Sequence, residues 1–198
     1  MSIMSNKKII ARFIMIEDKE RWNIRYKEKP FRDYVEPIIE KYIDTAKVGY
    51  ALDIACGQGR NTHFMAEKGF EVDAVDLSDY ALSCVRDDKN IHKIEMDLDA
   101  YNLEKNKYDL VINMNYLNRR FFHQIKEALK PDGVVIFETF IIAHDDFDNP
   151  KNPEFLLRKN ELLHAFIGFD IIYYEEHDDI NLRGEKTRVS SLVAKKHC

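Results

Sequence analysis

Acidic residues stand at or near the ends of three short strand-like runs, and two glycines follow the first. Asp53 lies in the first run just ahead of Gly57 and Gly59, while Asp76 and Asp97 end the other two. Glycine allows a sharp backbone turn, and a helix that begins after it points free N–H groups and its positive dipole end into the adjacent space. We therefore expect an anionic group of a ligand beside the two glycines.

Two classes of ligand could supply that anion. A dinucleotide would supply a pyrophosphate, and Asp76 stands roughly 20 residues on, where an acid for a ribose hydroxyl is expected. An NAD-dependent oxidoreductase is thus one interpretation. Against it, Thr62 replaces the third glycine of G-x-G-x-x-G, and Asp53 would repel a diphosphate. A ligand with a carboxylate and an ammonium, such as S-adenosylmethionine, could use the helix end for one and the acid for the other.

The elements around these residues alternate between strands and helices. Strand-like runs cover residues 50–56, 71–77, 92–97, 108–114 and 134–140. Helical spacing or end signals predict helices over residues 34–42, 60–68, the stretch after Ser78, 121–129 and 160–166. The alternation predicts right-handed crossovers and a mostly parallel sheet, whose ligands lie beyond the carboxyl ends of the strands.

Two features interrupt this pattern. Residues 130–133, Lys-Pro-Asp-Gly, predict a turn that ends one helix before a strand begins. Near the C-terminus, strand-like residues 170–176 and 188–195 have no helix-length segment between them. Adjacent strands without a crossover must pair antiparallel or be separated in space. We therefore expect an open α/β sheet that ends in a hairpin-like pair.

Composition limits the class of protein. The chain has 198 residues, 45% of them apolar, which favours a single core. A formal net charge of −5 disfavours nucleic acid as a partner. Three scattered cysteines favour neither a disulfide framework nor a zinc site, and no bound metal is expected; a reducing cytoplasm fits them best. Residues 9–16 are too short to span a bilayer, and we expect neither a signal peptide nor a membrane helix.

The sequence resembles the class I S-adenosylmethionine-dependent methyltransferases. Its first strand carries Asp53 ahead of a turn with Cys56, Gly57 and Gly59, and the second ends in Asp76 within Ala-Val-Asp-Leu-Ser. Further landmarks are Asp97 in residues 94–98, the fourth strand at 108–113 and the turn at 130–133. The Gly-Arg-Asn of residues 59–61, with stretches 70–76, 115–119 and 152–157, is similar to the small tellurite-resistance-type members.

This resemblance covers roughly residues 22–196 and implies a fold, a cofactor and a site. The fold would be α/β and Rossmann-like, a doubly wound, mostly parallel seven-stranded sheet with an antiparallel C-terminal hairpin. Residues 22–198 would form one methyltransferase domain after an N-terminal extension, residues 1–21, that could be flexible. S-adenosylmethionine would be bound by Asp53, Ala55, Cys56, Gly57, Gly59, Arg60, Asn61, Asp76, Leu77, Asp97, Leu98 and Asn113.

The methyl acceptor is expected over the end of the fourth strand. Methyl transfer mainly requires that a nucleophile be held about 3 Å from the methyl group without water. We assign Asn115, Tyr116 and Arg119 to the acceptor and leave the catalytic residue unassigned. Arg119 and Arg120 could clamp an anion or form a solvated helix face. Asn118 replaces a histidine that is common in similar proteins, so an acid–base role there is not carried over.

We expect a small-molecule acceptor, because residues 113–116 lack the paired prolines of methyltransferases that act on nucleic-acid bases or glutamine. A non-catalytic methyltransferase-like binding module is an alternative, and the chain could be a monomer or a homodimer. Cys56 is interpreted as a small packing residue of the turn, and residues 144–148 as a solvated loop rather than a cation site. The sequence also predicts that Asp76→Ala weakens cofactor affinity with little loss of fold.

Overall fold

The computed structural model describes residues 3–28, 34–143, 146–180 and 184–197, with side chains from residue 16 onward. A seven-stranded sheet has the order β3-β2-β1-β4-β5-β7-β6. Its strands are β1 Tyr50–Ile54, β2 Glu71–Asp76, β3 Ile91–Glu95, β4 Tyr108–Met114, β5 Leu129–Phe140, β6 Asp170–Ile180 and β7 Lys186–Lys195. The helices are α1 Ile3–Glu28, α2 Pro37–Tyr42, α3 Arg60–Glu67, α4 Asp79–Cys84, α5 Arg120–Ala128 and α6 Glu161–Ala165.

Strand direction places six carboxyl ends at one edge of the sheet. β1 to β5 pair in parallel, and β7 pairs antiparallel with both β5 and β6. β6 therefore points the same way as β5. The predicted fold class, a Rossmann-like mostly parallel sheet with an antiparallel C-terminal pair, is confirmed.

Helices on the two faces of the sheet enclose two apolar cores. One core includes Ile39 of α2, Met65 of α3 and Ile112 of β4. The other includes Phe121 of α5 and Phe166 beside α6. Alternate residues of each central strand enter opposite cores, so nearly continuous apolar runs such as 110–114 are required. This double burial holds the loops at the carboxyl edge on a rigid base.

Several local predictions change in detail. Residues 130–133 lie inside β5 rather than before it, because Tyr108 pairs with Leu129 while Leu110 pairs with Val134, so the four residues form a bulge in which Asp132 has φ 64°. The helix predicted over residues 34–42 begins only at Pro37, a residue suited to the first helical turn. β3 ends at Glu95, which places Asp97 in the following turn. The predicted cap is confirmed: the hydroxyl of Ser78 accepts a hydrogen bond from the Ala81 amide.

Helix α1 runs through the boundary predicted between residues 21 and 22. Lys19 lies 2.5 Å from Glu95, at the end of β3, and Asn23 donates to Asp79 of α4 over 2.7 Å. The separation of an extension from the domain remains a prediction, but side chains on both sides of residue 21 contact the domain, at the end of β3 and at α4. Within the described part of the chain, none of the helices combines the length and apolarity needed to cross a membrane.

Candidate cofactor and acceptor site

The turn between β1 and α3 is formed by left-handed backbone. Ala55, Gly57 and Gly59 have φ values of 55°, 57° and 84°. A Cβ atom on Gly59 would lie 2.8 Å from Val85, so a side chain has no room there. Gly59 immediately precedes α3, whose N-terminus has no side-chain cap. Backbone N–H groups at this helix end are therefore directed to the space beyond β1, as the sequence predicts.

Asp53 is held just beneath this turn. It is 2% exposed, and its Oδ2 accepts a hydrogen bond from the Thr62 hydroxyl over 2.7 Å. Burial raises the pKa of the Asp53 carboxyl to about 7, whereas the Thr62 hydroxyl and the charge of Arg60 act to lower it. Thr62, which stands where a dinucleotide motif has its third glycine, thus supplies a donor to this buried acid.

Asp76 joins the turn after β1 to the turn after β2. Its Oδ2 accepts from the Gly57 amide and its Oδ1 from the Ser78 amide, both over 2.8 Å. The side chain is 5% exposed, and burial raises its pKa while these amides act to lower it. Leu77 follows in the chain and is partly exposed. Asp76 thus has a structural role, and its carboxylate can accept further hydrogen bonds.

The remaining predicted cofactor residues lie in the next two loops. Oδ1 of Asp97 accepts from the Asp99 amide over 2.9 Å, and Leu98 is buried. Asn113, near the end of β4, donates from Nδ2 to the Tyr116 carbonyl over 2.7 Å. Its Oδ1 is buried and has no partner among the described residues. An amide oxygen left unpaired at a ligand edge is suited to accept a hydrogen bond from a bound ammonium or amine.

Helix α1 covers this arrangement, which the sequence analysis did not predict. The Tyr26 hydroxyl lies 2.9 Å from the position of a Cβ on Gly57, and burial strongly raises the pKa of that phenol. Asn23 accepts a hydrogen bond from the Ser78 hydroxyl over 2.5 Å. The spacing of Trp22 and Tyr26, one helical turn apart, was the available signal. A ligand at the glycine turn would therefore contact α1.

Glu36, also missed, connects α3 with the end of β4. One carboxylate oxygen of Glu36 accepts from the Arg60 guanidinium and, over 3.3 Å, from Nδ2 of Asn115. Its backbone amide donates to Oδ1 of Asn61 over 3.1 Å. Arg60 and Asn61 are thus engaged at the N-terminus of α2. Cys56 is buried, which raises the pKa of its thiol and favours the packing interpretation over a nucleophile.

The predicted acceptor residues do not all face one space. Asn115 has φ 58° and is exposed, and Tyr116 is half-buried with its ring centroid 6.2 Å from that of Phe121. Burial raises the pKa of the Tyr116 phenol to about 12. Arg119 instead contacts Glu161 over 2.5 Å and the carbonyls of Glu154 and Leu156.

The paired arginines therefore anchor neighbouring loops. The Arg120 guanidinium donates to the carbonyls of Leu98, Asp99 and Tyr101. An anion clamp would require Arg119 or Arg120 to give up these partners, so the contacts do not support that prediction.

The acidic stretch at residues 144–148 is described only in part, since His144 and Asp145 lie outside the described residues. Asp148 accepts from the Lys186 amide over 3.0 Å. Among the residues that the structure describes, no group of three or more His, Cys, Asp or Glu side chains could hold a metal ion.

Comparison with known proteins agrees with this geometry. A family model described as a methyltransferase domain matches residues 51–133. The probable S-adenosyl-L-methionine-dependent methyltransferase TehB of Haemophilus influenzae is 27% identical over 173 residues, which are 79% of this chain and 59% of that protein. The chain thus spans less than two thirds of the length of this curated relative.

Solved structures share the fold. The crystal structure of TehB from Haemophilus influenzae has a TM-score of 0.68 at 19% identity. The alignment covers 90% of this chain and 66% of the TehB chain. Phosphoethanolamine N-methyltransferase 2 of Haemonchus contortus, in complex with S-adenosyl-L-methionine, has a TM-score of 0.64 at 16% identity, over 81% and 51% of the two chains. Residues 51–133 thus match a methyltransferase domain, and the chain is similar in sequence and in fold to the probable S-adenosyl-L-methionine-dependent methyltransferase TehB.

Proposed function

We propose that this chain transfers a methyl group from S-adenosylmethionine to a small-molecule acceptor. The observation that carries the proposal is the turn after β1, where Asp53 lies beneath left-handed Gly57 and Gly59 and Asp76 holds the Gly57 amide. This turn offers backbone amides for a carboxylate and buried acids for an ammonium and hydroxyls. When bound, the cofactor supplies a methyl group already activated on a sulfonium.

The residues of this chain would bind and orient S-adenosylmethionine and shield it from water. The turn at residues 55–59 and the N-terminus of α3 would hold the amino-acid tail, and Asp76 and Asp97 the ribose and adenine. Oδ1 of Asn113 is a buried oxygen without a hydrogen-bond partner among the described residues, and in sequence it lies next to the residues assigned to the methyl acceptor. Helix α1, through Asn23 and Tyr26, would exclude water from the glycine turn. Exclusion of water favours methyl transfer because the reaction removes the positive charge of the sulfonium.

Several features support a small acceptor. The net charge of −5 gives no general attraction to a phosphate backbone. The free thiols of Cys56 and Cys84 are compatible with a reducing cytoplasm, which we propose as the compartment. A monomer or homodimer acting on a metabolite remains our proposal for its assembly.

The alternatives predict different ligands. An NAD-dependent oxidoreductase would place a diphosphate close to Asp53. The hydrogen bond from Thr62 favours the charged form of the Asp53 carboxyl, and that carboxylate would repel the diphosphate. A non-catalytic binding module would bind the cofactor without turnover.

The direct test is release of S-adenosylhomocysteine from purified full chain across amines, thiols, tellurite or selenite, and carboxylated metabolites. We expect turnover with at least one of these small molecules. Turnover restricted to RNA or DNA would contradict the small-molecule proposal, and binding without turnover on any acceptor would favour the binding module.

A further inference from the structure

A cavity of about 240 Å³ lies outside the cofactor turn. It is below the ~300–1,000 Å³ typical of drug-sized ligand sites, which suits a small metabolite. Its walls come from α2 and the residue before it, and from β5, β6 and β7. The lining residues that carry the argument are Glu36, Tyr42, Glu138, Tyr173, His177 and Asp179.

Strand order places this cavity beside the cofactor site. Glu138 lies near the carboxyl end of β5, and His177 and Asp179 lie near that of β6, at the edge where Asp76 ends β2. Apart from Asn113 of β4, the predicted cofactor residues of the strands and their turns lie on the β1 side of the point where strand order reverses, and the cavity lies on the β4 side. Glu36 belongs to the cavity wall and also contacts Arg60 of the cofactor turn and Asn115 after β4.

The charge of the cavity wall favours a cation. The carboxylate of Glu36 is paired with Arg60. The other ionisable carboxyl and amino groups among the described lining residues are the two acids Glu138 and Asp179 and one base, Lys41, and His177 lines the cavity beside them. Glu138 accepts one hydrogen bond, from the Ser191 hydroxyl over 2.6 Å. The pKa of the Glu138 carboxyl is raised to about 7, mainly by burial and also by the charges of Glu36 and Asp179, while the Ser191 hydrogen bond and the charge of Arg60 act to lower it. Such a carboxyl can exchange a proton near neutral pH.

Aromatic faces add a second cation-binding feature. The Tyr42 and Tyr173 rings stack with centroids 5.2 Å apart. The Lys41 ammonium lies 5.0 Å from the Tyr42 centroid and 5.5 Å from that of Tyr173, so these faces already carry one ammonium.

We propose that this cavity is the acceptor pocket, that it takes a small amine, and that Glu138 accepts the proton which the ammonium must lose before it attacks. The proposal rests on the methyltransferase function proposed above. The N–H bond of the ammonium breaks and its proton passes to the Glu138 carboxylate. The freed nitrogen lone pair then forms the N–C bond, and the C–S electron pair returns to sulfur, which leaves a methylammonium and S-adenosylhomocysteine.

The binding test uses the full chain saturated with S-adenosylhomocysteine. Calorimetric titrations compare 2-phenylethylamine with phenylacetate and 2-phenylethanol, which differ from it mainly in the polar group. We expect the amine to bind at least about tenfold tighter than the other two, and Asp179→Asn to weaken the amine selectively. Glu127→Gln, which neutralises a carboxylate on α5 that pairs with Lys105, is the matched control and should change nothing.

The kinetic test compares Glu138→Gln with wild type on an amine that the wild type methylates. We expect kcat to fall by ~10²–10⁴, as for loss of a general base, with cofactor affinity unchanged within about twofold. Wild-type kcat should rise with pH through the titration of Glu138 near 7, and the variant should lose that rise. Glutamine can still accept from Ser191, and circular dichroism checks its fold.

The outcomes separate the two proposals. If S-adenosylhomocysteine does not bind, the proposed function fails, whatever the amine does. If it binds but phenylacetate binds as well as the amine, or if Glu138→Gln keeps wild-type kcat and pH profile, the amine pocket is wrong while the methyltransferase proposal stands.

Discussion

Replacing Asp76 with alanine tests whether this acid holds two turns together. The change leaves the amides of Gly57 and Ser78 without their 2.8 Å partners at a position 5% exposed. A hydrogen bond to a charged group contributes ~1.5–3 kcal/mol net. Because burial raises the pKa of Asp76, part of that gain is already offset, and we expect a loss of about 2–4 kcal/mol in the free energy of unfolding. For a domain of this size that lowers Tm by roughly 4–16 °C.

The structure thus changes the sequence-based expectation that Asp76→Ala leaves the fold almost intact. Urea denaturation and thermal melts followed by circular dichroism measure the loss. Asp76→Asn, which keeps one acceptor oxygen, should lose roughly half as much. Glu71→Gln, at the exposed start of the same strand, is the control and should melt like wild type. Unchanged midpoints in both Asp76 variants would refute the bridging role.

Three further predictions follow from contacts elsewhere. Glu138 has its pKa raised from 4.5 to about 7, so its neutral form stabilises the fold; we expect that about 3 kcal/mol is fully present below pH 4.5 and lost as the pH rises through 7. Urea midpoints across this range should fall more in wild type than in Glu138→Gln, and parallel curves would oppose the assignment. Thr62→Val removes the donor to Asp53 and should cost about 1–3 kcal/mol in chemical denaturation, whereas Thr62→Ser should cost less; equal losses would count against the bond. Arg119→Ala should speed hydrogen exchange at residues 154–157 without raising the KM for any acceptor, and a raised KM for an anionic acceptor alone would restore the clamp.

Much of the sheet was predictable because local pattern and tertiary burial agree. Residues 51–54 and 110–114, within two of the predicted strand-like runs, are buried on both faces, and Ser78 and Gly69 mark helix ends where the structure has them. The bulge at residues 130–133 was not predictable, because a Pro-Gly turn and a strand bulge use the same residue types.

The site was predictable where function depends on backbone geometry. Gly57 and Gly59 require left-handed φ, and Asp76 follows them at a characteristic distance. Contacts between distant segments were not predictable. Tyr26 lies against Gly57, and Glu36 contacts both Arg60 and Asn115; the residues in these contacts are 24 to 79 positions apart in the chain. Glu138 did leave a signal, since it is the charged residue in the apolar run 134–140.

The cofactor is the central claim, and calorimetric titration of the full chain tests it most directly. S-adenosylhomocysteine and NADH are titrated separately into wild type and into the Asp76→Asn variant. We predict one site per chain for S-adenosylhomocysteine, weakened about tenfold or more in the variant, and no heat with NADH. Saturable binding of NADH with none of S-adenosylhomocysteine would contradict the account.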